Sequence, residues 1–298
     1  MKKIIVRKNS LNAWMLAARP KTLTGASVPV MIGLALAWAD MQGAGFKPFA
    51  AILCVLFAFI MQIDANFVND YYDFLGGKDD AERLGPERAC AMGWIDASRM
   101  RYGIMLTTAL ACLVGLPLVL YGGLEMVLVG ALCVVFCFLY TTLLSSRGMG
   151  DVLVLVFFGV VPVCCTYYLQ TGVVSGVVLW NSIACGLVID TLLVVNNYRD
   201  IDNDRRTGKM TLIVKIGPKA GRMLYLALGV AAWLMGVAFL IDGRVWAFLL
   251  PLVYLLMHVV AYKRMVRIGC GRELNYVLAD TARNMFIYGL AVSAGLLL

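Results

Sequence analysis

Charge is scarce in this chain, and that scarcity excludes more than any motif does. Only 15% of the 298 residues are Asp, Glu, Lys or Arg, against 61% hydrophobic residues and a mean hydropathy of +0.83. Soluble domains carry about a quarter charged residues, so a water-exposed globule is excluded. No Ser/Pro-rich linker or shift of composition interrupts the sequence, which argues against a separate soluble domain and for one unit over 1–298. Histidine is nearly absent: His258 stands alone in an apolar block, and such a residue reads as a packed helix side chain. The nine cysteines show no CxxC spacing, and most, such as Cys54, Cys112, Cys133, Cys164, Cys165 and Cys185, fall inside apolar blocks. They read as small hydrophobes, not as zinc ligands or disulfides. Met1–Arg19 is polar and basic with no small-residue cleavage site, so the N-terminus is expected to be retained.

What is present is a series of long apolar runs. A helix needs about 20 apolar residues to cross a bilayer, and nine blocks approach that length: 22–39, 48–68, 102–120, 124–143, 152–170, 177–196, 222–241, 245–262 and 280–298. The fold class is therefore all-α, a polytopic membrane protein of nine spans. Positive residues favour cytoplasmic loops. With the N-terminus cytoplasmic, only Lys47 and Arg244 of the 26 basic residues lie outside. Topology and anionic lipid thus account for the net charge of +8 without nucleic acid as a partner.

Acidic residues depart from this pattern at two places on one expected membrane face. The second span ends in DANFVNDYYDFLGGKDDAERLGPER and the sixth in DTLLVVNNYRDIDNDRRTGK, and half of the 18 acidic residues fall just past these spans. On a helix, residues at i, i+3, i+4 and i+7 share a face. Asn66, Asn69, Asp70 and Asp73 fall in one such arc, and Asn197, Asp200 and Asp204 in another. Carboxylates one turn apart repel unless a cation offsets them. Hard oxygen donors suit Mg²⁺, which takes one or two carboxylates and completes its shell with water and phosphate. Two such clusters would hold a diphosphate between them. One cluster alone reads better as a solvated helix end; the repetition favours the metal. The interleaved Lys78, Arg83, Arg88, Arg199, Arg205, Arg206 and Lys209 fit a polyanion, although positive-inside bias also places them there.

Two carboxylates lie deeper. Asp190 shares the face of Asn197 and Asp204, about 10 Å further in. Asp64 lies on a different face from Asn66 and Asp70, where pairing with a neighbouring helix is the simpler reading. Ionisable groups inside a membrane usually face a cavity or a partner.

With these residues in view, the chain resembles the UbiA superfamily of membrane prenyltransferases, and within it the branch acting on dihydroxynaphthoate. The resemblance covers AARPKTLTGASVPVMIG at 17–33, ANFVNDYYDFLGGKDDAERLGPERA at 65–89, LYTTLLSSRGMGDVLVLVFFGVVPV at 139–163 and NNYRDIDNDRRTGKMTLIVKIG at 196–217. Asp79 follows Asp73 at longer spacing than the NDxxDxxxD of the superfamily, which is the feature that points to the naphthoate branch. TTLLSS after Tyr140 departs from the Pro-containing stretch of relatives. The resemblance implies nine helices around a central cavity, open to the cytoplasmic side, in the cytoplasmic (inner) membrane. It implies that Asn66, Asn69, Asp70, Asp73 and Asp79, with Asn197, Asp200 and Asp204, bind Mg²⁺ and diphosphate, and that Lys and Arg of the capping loops add contacts. It implies transfer of a polyprenyl group from polyprenyl diphosphate to 1,4-dihydroxy-2-naphthoate. Asp190 and Tyr140 are candidates to orient or deprotonate the acceptor, and Arg19 or Lys21 to meet its carboxylate. No obligatory protein partner is inferred. Two alternatives stay open: another aromatic acceptor, such as 4-hydroxybenzoate, and a cation-coupled transporter, whose sites usually lie nearer the midplane.

Overall fold

Residues 6–77 and 84–298 are described by the structure, a computed structural model. Its elements are α1 (Leu11–Ala18), α2 (Leu23–Met41), α3 (Pro48–Leu75), α4 (Ala97–Gly115), α5 (Val119–Gly122), α6 (Glu125–Leu139), α7 (Gly150–Val154), α8 (Val161–Thr171) and α9 (Gly176–Arg199). They continue with α10 (Ile201–Arg206), α11 (Leu212–Met235), α12 (Val237–Ile241), α13 (Val245–Leu249), α14 (Leu252–Ile268) and α15 (Leu274–Leu297). Among the described residues there is no strand. Eight stretches of the described residues are long and apolar enough to cross a membrane. The ninth span, α15, carries Asp280, Arg283 and Asn284 near its start and is less apolar for that reason.

Contacts between neighbours show alternating directions. Gly103 and Gly115 of α4 face Phe67 and Phe57 of α3, so later residues of one helix meet earlier residues of the other. The same antiparallel order relates α9 to α11 through Tyr198–Gly221 and Trp180–Met235, and α14 to α11 through His258–Gly229 and Tyr262–Met223. By contrast α2 and α15 run parallel: Gly25 faces Met285, and Val28 faces Gly289. That is the relation a first and a ninth span must have. The main core packs α2, α9 and α15 around Val28, Ile32, Val188, Ile189, Met285 and Val292. No residue of α6 is fully buried, and Leu106, Leu113, Leu128 and Leu256 stay exposed on the apolar exterior.

The helices outrun the apolar blocks at the ends that matter. No Gly or Pro follows Pro48 until Gly76, so α3 stays helical to Leu75 and stops at the Gly76–Gly77 pair, where Gly77 has φ 63°. α9 likewise continues to Arg199. The polar residues Asn69, Asp70, Asp73 and Asn197 are therefore held by regular helix and not by loop. α11 begins ten residues earlier than its apolar block, with a break at Gly217 (φ 81°) before Pro218. Tyr140–Leu144 and Leu155–Val160 are π-helical, a form that appears mostly as single bulges and often at functional sites.

Candidate active site at two acidic helix ends

The end of α3 is tied to its surroundings residue by residue. Asn66 donates to the Ala18 carbonyl (3.0 Å) and to Thr22 Oγ1 (2.9 Å), fixing the turn between α1 and α2. That turn places Arg19 in the left-handed region (φ 50°) with its guanidinium 3.7 Å from Asp70. Both oxygens of Asp70 accept backbone hydrogen bonds, from Ala89 and Cys90 at 2.8 Å each. This clasp draws in the segment carrying Arg88, which pairs with Asp73 at 3.3 Å between largely buried side chains. Asn69 accepts from Thr141 at 2.7 Å. Lys21 is exposed on the turn after Pro20. Lys78, Asp79 and Arg83 lie outside the described residues.

The end of α9 repeats the pattern with its own cations. Arg199 is buried and donates to both Asp200 oxygens, at 2.8 and 2.6 Å, as well as to Asn196 and Asn275. Asn275 in turn donates to the Leu84 carbonyl at 2.9 Å, which links this end to the segment beyond the first motif. Lys209 stands 3.7 Å from Asp204. Asn197 and Asp204 are buried. Arg205 and Arg206 are exposed, and Arg205 lies 3.8 Å from Asp202.

Beneath these ends lies a buried polar layer. Tyr140, at the first π-helical turn, has Asp151, Asp190, Asp73 and Asp204 all within electrostatic range of its hydroxyl. One carboxylate from each acidic end thus approaches a common point, together with two deeper ones. Asp190 is 5% exposed and its Oδ1 has no hydrogen-bond partner among the described residues. Asp64 serves differently. It is fully buried and accepts hydrogen bonds from Thr107 and from Thr108 (2.8 Å) of α4, the helix-pairing reading of the two. His258 is stacked between Tyr225 and Tyr254, as a packed residue.

The residues present fit Mg²⁺. Every candidate donor at the two helix ends is a hard oxygen, from Asn69, Asp73, Asn197, Asp200 or Asp204. Among the described residues no three acidic side chains form a closed metal cage, and Mg²⁺ does not need one when phosphate completes its shell. The carboxylates are instead closed on four cations of the chain, Arg19, Arg88, Arg199 and Lys209. A cavity of about 190 Å³ opens elsewhere, between α14 and α15, lined by Leu256, Met257, Val260, Ala261, Asp280 and Arg283.

Sequence reasoning missed two things. Asp151 stands one residue before an apolar block and read as loop, yet it is buried on α7. Its signal was a lone carboxylate at the start of a span. The backbone donors of Ala89 and Cys90 carry no side-chain signature at all. The Pro-less TTLLSS stretch stays helical, passing from π-helix into a short 3₁₀ turn at Ser145–Arg147.

Comparison with known proteins follows the same lines. The UbiA prenyltransferase family matches residues 26–289. The 1,4-dihydroxy-2-naphthoate octaprenyltransferase of Haemophilus influenzae is 34% identical, aligned over 100% of this chain and 99% of its own. The protein of that name from Escherichia coli is 37% identical over 72% of each chain. Among solved structures, a UbiA homolog from Archaeoglobus fulgidus bound to GPP and Mg²⁺ superposes with a TM-score of 0.67 at 15% identity, covering 95% of this chain and 99% of that one.

Proposed function

The chain belongs to the UbiA prenyltransferase family, and from that premise we propose that it transfers a polyprenyl group to 1,4-dihydroxy-2-naphthoate. Polyprenyl diphosphate is the donor, and diphosphate, carbon dioxide and demethylmenaquinol are the products. The names of relatives at 34–37% identity support the donor and acceptor. The observation that carries the reading is the set of four carboxylate–cation pairs at two helix ends, one carboxylate of each end, Asp73 and Asp204, lying within electrostatic range of Tyr140.

Such pairs are suited to an exchange of partners. A buried charge without its counter-ion is costly, so carboxylates waiting for a metal keep the chain's own cations beside them. Arg88, Arg199 and Lys209, with Lys78 and Arg83, turn to the phosphate oxygens of the donor, and Arg19 is released towards the acceptor. Asn69, Asp73, Asp79, Asn197, Asp200 and Asp204 are then free to hold Mg²⁺. Asp70 joins them only by giving up its two backbone hydrogen bonds. Mg²⁺, when bound, offsets the charge that builds on the leaving diphosphate. Asn66 keeps the α1–α2 turn, and with it Arg19, in position.

The allylic C–O bond breaks with its electron pair going to diphosphate, and the apolar spans keep water from the resulting carbocation. The ring carbon bearing the carboxylate attacks, a C–C bond forms, and loss of CO₂ returns the electron pair to the ring. No protein nucleophile is required. Asp190 and Tyr140 orient the acceptor hydroxyls, and Arg19 or Lys21 meets its carboxylate. The protein is an integral multi-pass membrane protein, and the distribution of Lys and Arg supports the cytoplasmic membrane with both acidic ends on its inner face.

The test is product mass from purified protein given polyprenyl diphosphate with dihydroxynaphthoate or 4-hydroxybenzoate, with and without Mg²⁺. Prenylated, decarboxylated naphthoate formed only with Mg²⁺ is expected. Preference for 4-hydroxybenzoate would overturn the acceptor, and turnover in chelator would overturn the metal.

A further inference from the structure

The spans on either side of the α8–α9 turn run antiparallel at very close range. A Cβ on Gly159 would lie 2.5 Å from Gly186 Cα, and one on Gly186 would lie 2.9 Å from the Leu155 carbonyl oxygen. Nearer the acidic ends, Gly150 faces Leu193. In this register Asp151, four residues before Leu155, falls opposite Asp190, four residues after Gly186. The two lie within electrostatic range of each other, and Tyr140 packs its ring against Gly150 beside them. Both Asp151 oxygens and Asp190 Oδ1 are buried without a hydrogen-bond partner among the described residues.

Buried polar oxygens are ordinarily satisfied, and an unmet one costs about 1–3 kcal/mol. Three unmet acceptors within one layer, flanked by two π-helical turns, are the complement of a ligand that brings O–H donors and little else. Resting on the aromatic transferase reading above, we propose that Asp151 is a second acceptor-binding residue, forming with Asp190 a paired-carboxylate seat for the hydroxyl groups of a hydroxylated aromatic ring. The seat also fixes orientation. The layer offers no cation to the ring's own carboxylate, which is left to face the arginines at the helix ends. Asp151 is thereby a specificity-determining residue for ring hydroxyls and takes no part in donor binding.

The test uses full-length protein and competitive inhibitors of the acceptor: naphthoates with two, one or no ring hydroxyls. Hydrogen bonds to charged groups predict that each hydroxyl removed weakens inhibition of the native protein by about ten- to a hundredfold. Asp151→Ala should raise the acceptor KM at least tenfold, leave the KM for polyprenyl diphosphate unchanged, and flatten the inhibitor series. Asp151→Asn, which keeps an acceptor oxygen, should restore part of the discrimination. A variant that keeps the full discrimination overturns the proposal. Should both variants fail to fold, the native inhibitor series decides: hydroxyl-independent inhibition overturns it. Native protein that prenylates no naphthoate refutes the broader function instead, an outcome distinct from turnover with a flat inhibitor series.

Discussion

Gly159→Ala is the sharpest probe of how the fold builds this site. The added methyl carbon would meet Gly186 Cα at 2.5 Å, Gly186 N at 2.8 Å and the Ser182 carbonyl oxygen at 2.8 Å. All three are backbone atoms of α9, so no side chain can swing aside. Carbon–carbon contacts settle at about 3.5–4.0 Å, so the two spans must part by about 1 Å. Overpacking of this kind costs about 1–3 kcal/mol, which for a chain this long lowers Tm by roughly 2–5 °C. The same separation moves Asp151 away from Asp190, and a displacement of about 1 Å at a reacting centre can cost about a hundredfold in rate. The assay is thermal unfolding in detergent together with steady-state turnover. Gly130→Ala is the control, since a Cβ there meets nothing within 4 Å. An unchanged Tm and unchanged acceptor kinetics in Gly159→Ala would refute the close approach and the register derived from it.

Further outcomes follow from individual contacts. Asp200→Ala should nearly abolish turnover and also lower Tm, because it leaves the buried Arg199 guanidinium with only the neutral partners Asn196 and Asn275; retained activity would remove Asp200 from the site. Asp70→Ala should lose turnover and also stability, by about 1–3 kcal/mol for each backbone donor left unmet at Ala89 and Cys90, read as a lower Tm than that of the native protein. Asp40→Asn, at the opposite end of α2, loosens a cluster with Tyr167 and Arg244, and since Arg244 retains Asp242 at 2.9 Å the cost should stay below about 1 kcal/mol with kcat unchanged. Asp96 is held below the ordinary carboxylate range by its hydrogen bonds with Lys8 and Asn9. Its stabilising effect is present above about pH 4 and lost as pH falls through the lowered folded value. Asp96→Ala should remove it at all pH, seen as faster tryptic cleavage after Lys8.

By itself the sequence determined the all-helical membrane class, the approximate number of spans and the two acidic helix ends at which we place the chemistry. Apolar run length is a local property that a bilayer converts directly into helices, and acidic residues in so apolar a chain cannot be hidden from a reader. Asp64 and His258 were also legible, since a lone polar residue within a span finds its partner on a neighbouring helix. What only the tertiary structure decided is which side chains meet. The residues paired with the acidic ends come from distant places: Arg19 from the turn before α2, Arg88 from the segment after α3, Asn275 from α15. Asp70 looked equivalent to Asp73 on helical spacing, and only the return of the chain at Ala89 and Cys90 gave it a separate task. Asp151 was invisible as a partner of Asp190 because their pairing depends on Gly159 and Gly186 letting two backbones touch. Helix register across an interface is set by side-chain volume on both sides at once, and that information lies in no single stretch of sequence.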